Sequence, residues 1–114
     1  MKRLLLDDER SLKQIFIMTK NKIYLESWSV VRNYNEFIKY IKKSGIPNII
    51  SFDHDLGSGK TGMDCAHYIV DLCLNSKKDL PEILVHSQNP VGKKNILSLF
   101  DSYKKYISEY YKTT

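Results

Sequence analysis

Three short apolar runs each stop abruptly at a polar cluster: LLLDDER at 4–10, IISFDHDLG at 49–57 and EILVHSQNP at 82–90. Continuous apolar runs of this length are the pattern of strands buried in a parallel sheet. Arg3 to Leu6 reads as the first strand, Ile49 to Phe52 as the third and Ile83 to Val85 as the fourth, entered through Leu80–Pro81. Trp28 to Val31 makes a second, less buried strand. Between them the apolar period changes to that of a helix. Leu12, Ile15 and Phe16 predict a short helix, followed by a polar connection over 20–26 with no assigned element. Tyr34, Phe37, Ile38 and Ile41 fall on one helical face, and Gly45 with Pro47 closes that helix. Met63, Ala66, Ile69, Val70 and Cys73 form a further stripe running to about Leu74. Asn89 reads as an N-cap with Pro90 as first helical residue. The last helix carries Ile96, Phe100, Tyr103, Ile107 and Tyr110. This β-α-β-α-β-α-β-α order predicts an α/β fold, a parallel sheet with right-handed crossovers.

The polar clusters are what give the pattern chemical interest. An open α/β sheet binds ligands just beyond the carboxyl ends of its strands. With three of these runs as neighbouring strands, Asp7, Asp8, Asp53, His54, Asp55, His86, Ser87 and Asn89 converge on one crevice. Adjacent carboxylates repel unless a cation or proton intervenes, and hard divalent ions such as Mg²⁺ or Mn²⁺ select oxygen ligands. Asp7–Asp8 alone would equally complement the dipole of a following helix. Joined to Asp53 on another strand, they favour a metal site, with Asp55 as a further ligand or a loop cap. If the chain stays extended past Phe52, Asp53 and Asp55 point one way and His54 the other. Imidazole titrates near neutral pH, so His54 and His86 on adjoining strand ends are the candidate base and acid. Arg10, Lys60, Ser87 and Asn89 are the candidate partners of a phosphate, beside the free amides of the last helix.

Composition narrows the classes. The 114 residues make one domain, 1–114, with 42% hydrophobic and 27% charged residues, an ordinary globular balance. No apolar stretch reaches the ~20 residues of a membrane helix. MKRLLLDDER has too short an apolar core for a signal peptide, so a cytoplasmic location is expected. Cys65 and Cys73, eight residues apart on one predicted helix, stand ~12 Å apart, beyond disulfide reach. They are expected in the core. Net charge is +5 from 18 basic and 13 acidic residues. The lysines fall in scattered pairs, with no helix-turn-helix or RNA-module signature, which argues against a dedicated nucleic-acid-binding domain. An acid-rich pocket in a basic protein suits a cation in the pocket and an anion drawn to it. GSGKT at 57–61 imitates a P-loop, but that motif requires glycine where His54 stands. An NTPase is therefore excluded.

Asp7–Asp8 after the first strand and Asp53 after the third resemble the acidic pocket of response-regulator receiver domains. That family uses the third aspartate as phosphoacceptor with Mg²⁺ held by the trio. The whole pattern LDDER, W-x-VVR-x-Y-x-E, SFDHDLG, TG-x-D and VHS-x-NPVG, from Leu6 to Gly92, is more closely similar to the cyclic-phosphate processing receiver domains. The resemblance implies a receiver-like (flavodoxin-like) open parallel sheet of four strands in order 2-1-3-4. Helices would cover both faces, and the receiver's fifth strand with its lysine would be missing. It adds Arg32 to the substrate-binding candidates, and Gly62, Asp64 and Gly92 to the motif set, the glycines for backbone geometry. The expected activity is metal-assisted opening of a cyclic phosphodiester, on a phosphate-containing small molecule or an RNA end. A phosphoacceptor receiver using Asp53, or a non-catalytic binder of a cyclic nucleotide, are the alternatives. Tyr103, Tyr106, Tyr110 and Tyr111 put aromatics on more than one face of the last helix, suited to covering the bare sheet edge or to forming a homodimer.

Overall fold

The structure, a computed structural model, describes residues 1–57 and 59–113, with side chains described up to residue 110. Ser58 of the GSGKTG loop and the side chain of Tyr111 lie outside the described residues. The elements run β1 (Arg3–Leu6), α1 (Leu12–Thr19), a 3-10 turn (Lys22–Leu25), β2 (Ser29–Val31), α2 (Tyr34–Ser44), β3 (Ile49–Phe52), α3 (Gly62–Ser76), β4 (Glu82–Val85) and α4 (Pro90–Thr113). All four strands are parallel, in the order β2-β1-β3-β4. The connection over 20–26, which the sequence pattern leaves unassigned, contains the 3-10 turn and buries Tyr24. Trp28 lies just outside β2, its ring stacked on Tyr24 and its indole N–H donating to the Ile23 carbonyl.

Helix starts follow local capping chemistry. Ser11 with Gln14, and Thr61 with Asp64, form reciprocal capping boxes, while Asn33 caps α2. Asp64 thus serves the start of α3. Asn89 caps α4 as predicted, its Oδ1 accepting from the Gly92 amide at 3.0 Å. Gly45 closes α2 at φ 81°, a left-handed value that suits glycine.

Strand alternation divides the core in two. Leu4, Leu6, Ile50, Phe52, Val85 and Val31 join Phe37, Ile41, Cys65, Ile69, Ile96, Phe100 and Tyr103 in one apolar cluster under α2, α3 and α4. On the opposite face, Leu5 and Ile49 join Ile15, Tyr24 and Trp28 in a smaller cluster under α1 and the 3-10 turn. Both faces carry helices, as the resemblance implies. Both cysteines are free and buried, and burial pushes the Cys65 thiol up to about 12. Helix α4 packs beside α3 over Phe52 and Val85, with Phe100 5.7 Å from the Phe52 ring. That places its apolar stripe on the sheet's face, whereas edge cover was the expectation. Tyr106 is exposed and stacks on Tyr110. No helix among the described residues is long and apolar enough to cross a membrane.

Candidate functional site

The parallel ladder continues one residue past three strand ends. Asp7 donates its amide to Val31, Asp53 to Leu6 and His86 to Phe52, at 3.1, 3.0 and 3.0 Å. Register therefore sets Asp7, Asp53 and His86 in one row across the carboxyl edge of β1, β3 and β4. Carboxylate oxygens of Asp7, Asp8 and Asp53 lie within 4.8 Å of one another. Asp8 and Asp53 line a cavity of about 490 Å³ whose wall also includes Arg10, Asp55, Ser87 and Asn89, with Asp7 buried behind them.

Asp7 is fully buried and its carboxylate is saturated. Oδ1 accepts from the amides of Glu9 and Arg10 at 3.0 and 2.8 Å. Oδ2 accepts from His86 Nε2 at 3.0 Å and Arg10 Nη1 at 3.3 Å. Burial alone would raise its pKa, but the hydrogen bonds from His86 and the two amides together hold the carboxyl well below the usual range. Asp53 is the opposite case. Burial and then the charge of Asp7 push its carboxyl up, against the pull of Arg10. Its one ion pair is to Arg10, at 3.7 Å. Asp8 makes no hydrogen bond among the described residues. The oxygens free to take a hard cation are therefore those of Asp8 and Asp53, with Asp7 completing the trio behind them.

The two histidines differ from their expected roles. His86 has no exposed side-chain surface. Its Nε2 holds Asp7, and its Nδ1 lies 2.7 Å from Ser51 Oγ, so neither nitrogen opens on the cavity. The reason is commitment of both ring nitrogens: His86 shares its sheet face with Ser51 and Asp7, and those two partners hold it away from the cavity. His54 lies off the cavity wall, in the bend that follows β3. Its ring packs on α4 so closely that a Cβ at Gly92 would fall 2.4 Å from the ring carbon Cγ. Its Nδ1 bonds Asp55 Oδ1 at 2.9 Å.

Asp55 is not part of the trio. One oxygen is given to His54 and the other to Asn89 Nδ2 at 3.4 Å, and the His54 bond lowers its pKa. Arg32 faces inward: its Nη1 donates to the carbonyls of Asp7 and Arg10, at 3.1 and 2.7 Å, pinning the β1–α1 loop. It holds backbone where anion binding was the expectation. Lys60 lies outside the cavity wall, its ammonium 5.5 Å above the Tyr34 ring. Arg10, Ser87 and Asn89 do line the cavity, and Arg10 Nη2 also meets Gln88 Oε1 at 3.4 Å. Ser87 Oγ accepts from the Asn89 amide. At Gly62 a Cβ would sit 1.8 Å from the Asp53 carbonyl oxygen, so only glycine lets α3 start there. Its amide donates to the His54 carbonyl at 2.7 Å.

Sequence reasoning missed Tyr24 and Ser51. The Tyr24 hydroxyl lies 2.7 Å from Ser51 Oγ, which extends the polar contact from His86 into the core. A serine inside IISF was the available signal, since a buried hydroxyl needs a partner. Nothing comparable marks Tyr24.

The comparisons bear on the family and the fold. The model of the cyclic-phosphate processing receiver domain matches residues 2–102. The chain belongs to that family. No curated protein matches it. A solved structure described as the yeast Spc42 trimeric coiled coil, amino acids 181–211, fused to another structure is similar at 21% identity and a TM-score of 0.53. The similarity covers 85% of this chain but 60% of that one, and it shows the receiver-like fold alone.

Proposed function

We propose that this receiver-like domain is a metal-assisted phosphoesterase that opens a cyclic phosphodiester. The observation that carries the reading is the carboxylate trio whose Asp8 and Asp53 meet Arg10, Ser87 and Asn89 on one cavity. The donor set suits a divalent ion: hard oxygens, two of the three carboxylates free of hydrogen bonds among the described residues, and a raised Asp53 that a cation would relieve. Asp8 and Asp53 would hold Mg²⁺ or Mn²⁺. When bound, the ion draws charge from a phosphoryl oxygen.

The remaining work falls to the chain's own side chains. Arg10 offers a planar guanidinium to the phosphate oxygens, and Ser87 and Asn89 offer donors beside the α4 N-terminus. Asp55 holds His54 through Nδ1, and His54 itself lies off the cavity wall, packed against Gly92. The Asp53 carboxylate, on the cavity wall, takes the proton of water as its oxygen bonds to phosphorus. One ring P–O bond then breaks, its oxygen takes up a proton, and a phosphomonoester leaves. His86 acts behind Asp7 and does not meet the substrate.

Incubating the protein with 2′,3′-cyclic and 3′,5′-cyclic nucleotides, with and without Mg²⁺ or Mn²⁺, tests this. Metal-dependent appearance of a monoester, lost in Asp53→Asn, is the expected result. No turnover of any cyclic phosphate overturns it. A labile phosphoryl group on Asp53 after acetyl phosphate treatment would point to the phosphoacceptor reading instead.

A further inference from the structure

A chain of four buried polar groups runs from the core to the acidic trio: Tyr24 hydroxyl, Ser51 Oγ, His86 imidazole and Asp7 carboxylate, linked at 2.7, 2.7 and 3.0 Å. Donor counting gives it a direction. The Asp7 carboxylate accepts only, so His86 Nε2 carries the hydrogen between them. His86 Nδ1 then requires a donor, and Ser51 is the only hydroxyl bonded to it. Ser51 turns its hydrogen to the imidazole, and its oxygen receives the hydrogen of Tyr24. Reversing the chain would leave the Tyr24 hydrogen without an acceptor, because Ser51 is its one hydrogen-bond partner among the described residues. Tyr24 is 4% exposed, so water does not replace that partner.

Packing fixes the same arrangement. The Tyr24 ring stacks on Trp28 at 5.5 Å and meets the His86 ring edge-on at 6.0 Å. Trp28 is anchored to Ile23 within the same 3-10 turn. At the other end, Asp7 Oδ1 gathers the amides of Glu9 and Arg10, the turn that carries Asp8 and Arg10 into the cavity.

We propose that Tyr24 and Ser51 are positioning residues. Acting through His86, they lock the Asp7 carboxylate and with it the Asp8–Arg10 turn on which the cation and the phosphate depend. The part concerning the cation rests on the phosphoesterase reading, and the locking of Asp7 does not. Partners one shell behind a metal's ligands change metal affinity by about 10- to 100-fold when removed.

Two measurements on the full chain test this: ¹⁵N NMR of the His86 ring in metal-free protein, and Mn²⁺ affinity by titration calorimetry. Wild type should show one ring state with the hydrogen on Nε2. Ser51→Ala should mix the ring's tautomers and weaken Mn²⁺ about ten-fold. Ser51→Thr should restore both, and Tyr24→Phe, which keeps the ring and its stacking, should show a smaller loss of each. An unchanged His86 signature in Ser51→Ala overturns the proposal. If wild type binds no Mn²⁺, the metal reading falls, and the His86 signature alone decides the positioning role. A changed signature with unchanged Mn²⁺ affinity overturns the link from the relay to the cation.

Discussion

The two faces of this sheet are built for different ends. Under α2, α3 and α4 the face is wholly apolar, with Phe37, Phe52 and Phe100 ring to ring at 5.9 and 5.7 Å. Under α1 and the 3-10 turn, the buried surface is smaller and holds Tyr24, Ser51, His86 and Asp7. The first face earns stability by burying rings. The second spends burial on groups that are costly unless each finds a partner, and each does. The candidate site sits on the costly face, where a side chain that holds a carboxylate has to be polar and immobile at once.

That contrast can be broken in a graded way. Phe100→Ala removes a buried ring and should cost about 3–5 kcal/mol in urea unfolding, yet leave the His86 ring signals unchanged. Ser51→Ala should cost only about 1–3 kcal/mol while moving those signals. Equal disturbance of His86 by both would erase the distinction between the faces.

The carboxylates sharpen it further. Asp7 is held below its ordinary pKa, so at pH 7 its charge stabilises the fold, and Asp7→Asn should lower Tm, by about 1–3 kcal/mol of stability. Asp53 is held above its ordinary pKa, so at pH 7 its charge opposes folding, and Asp53→Asn should raise Tm. The Asp53 difference should shrink as pH falls through the raised native value. The Asp7 difference should persist down to about the unperturbed 3.8 and fade below it. Thermal melts of the three proteins between pH 3 and 7 measure both signs. The smallest effect belongs to Lys60→Ala. Its exposed contact with Tyr34 is worth about 0.5–1 kcal/mol, and KM for any cyclic phosphate should not change.

Much of this was legible in the chain because burial and period are local properties. Ile49–Phe52, buried along its whole length, needs four consecutive residues that tolerate both faces of a sheet. The Asn89–Pro90 start of α4 and the end of α2 at Gly45 are written in residues that act on their own backbone. The acidic trio was legible too, since strand ends of a parallel sheet collect on one edge. The histidines were only half legible. Alternation left the side taken by His54 conditional on an extended chain past Phe52, and that its ring rests on Gly92 with Asp55 at its Nδ1 required α4 to be in place.

The sequence by itself determined the four strands, their helices, the family pattern and the cluster of acids. Tertiary structure decided which polar residues meet the cavity and which stand behind it. His86 and Asp7 are 79 residues apart, and Tyr24 and Ser51 are 27 apart. Only strand register and the docking of the 3-10 turn bring them within hydrogen-bond reach. The same docking turns Arg32 inward onto the carbonyls of Asp7 and Arg10. A polar residue's type is local information, but its partner is a property of the packed fold.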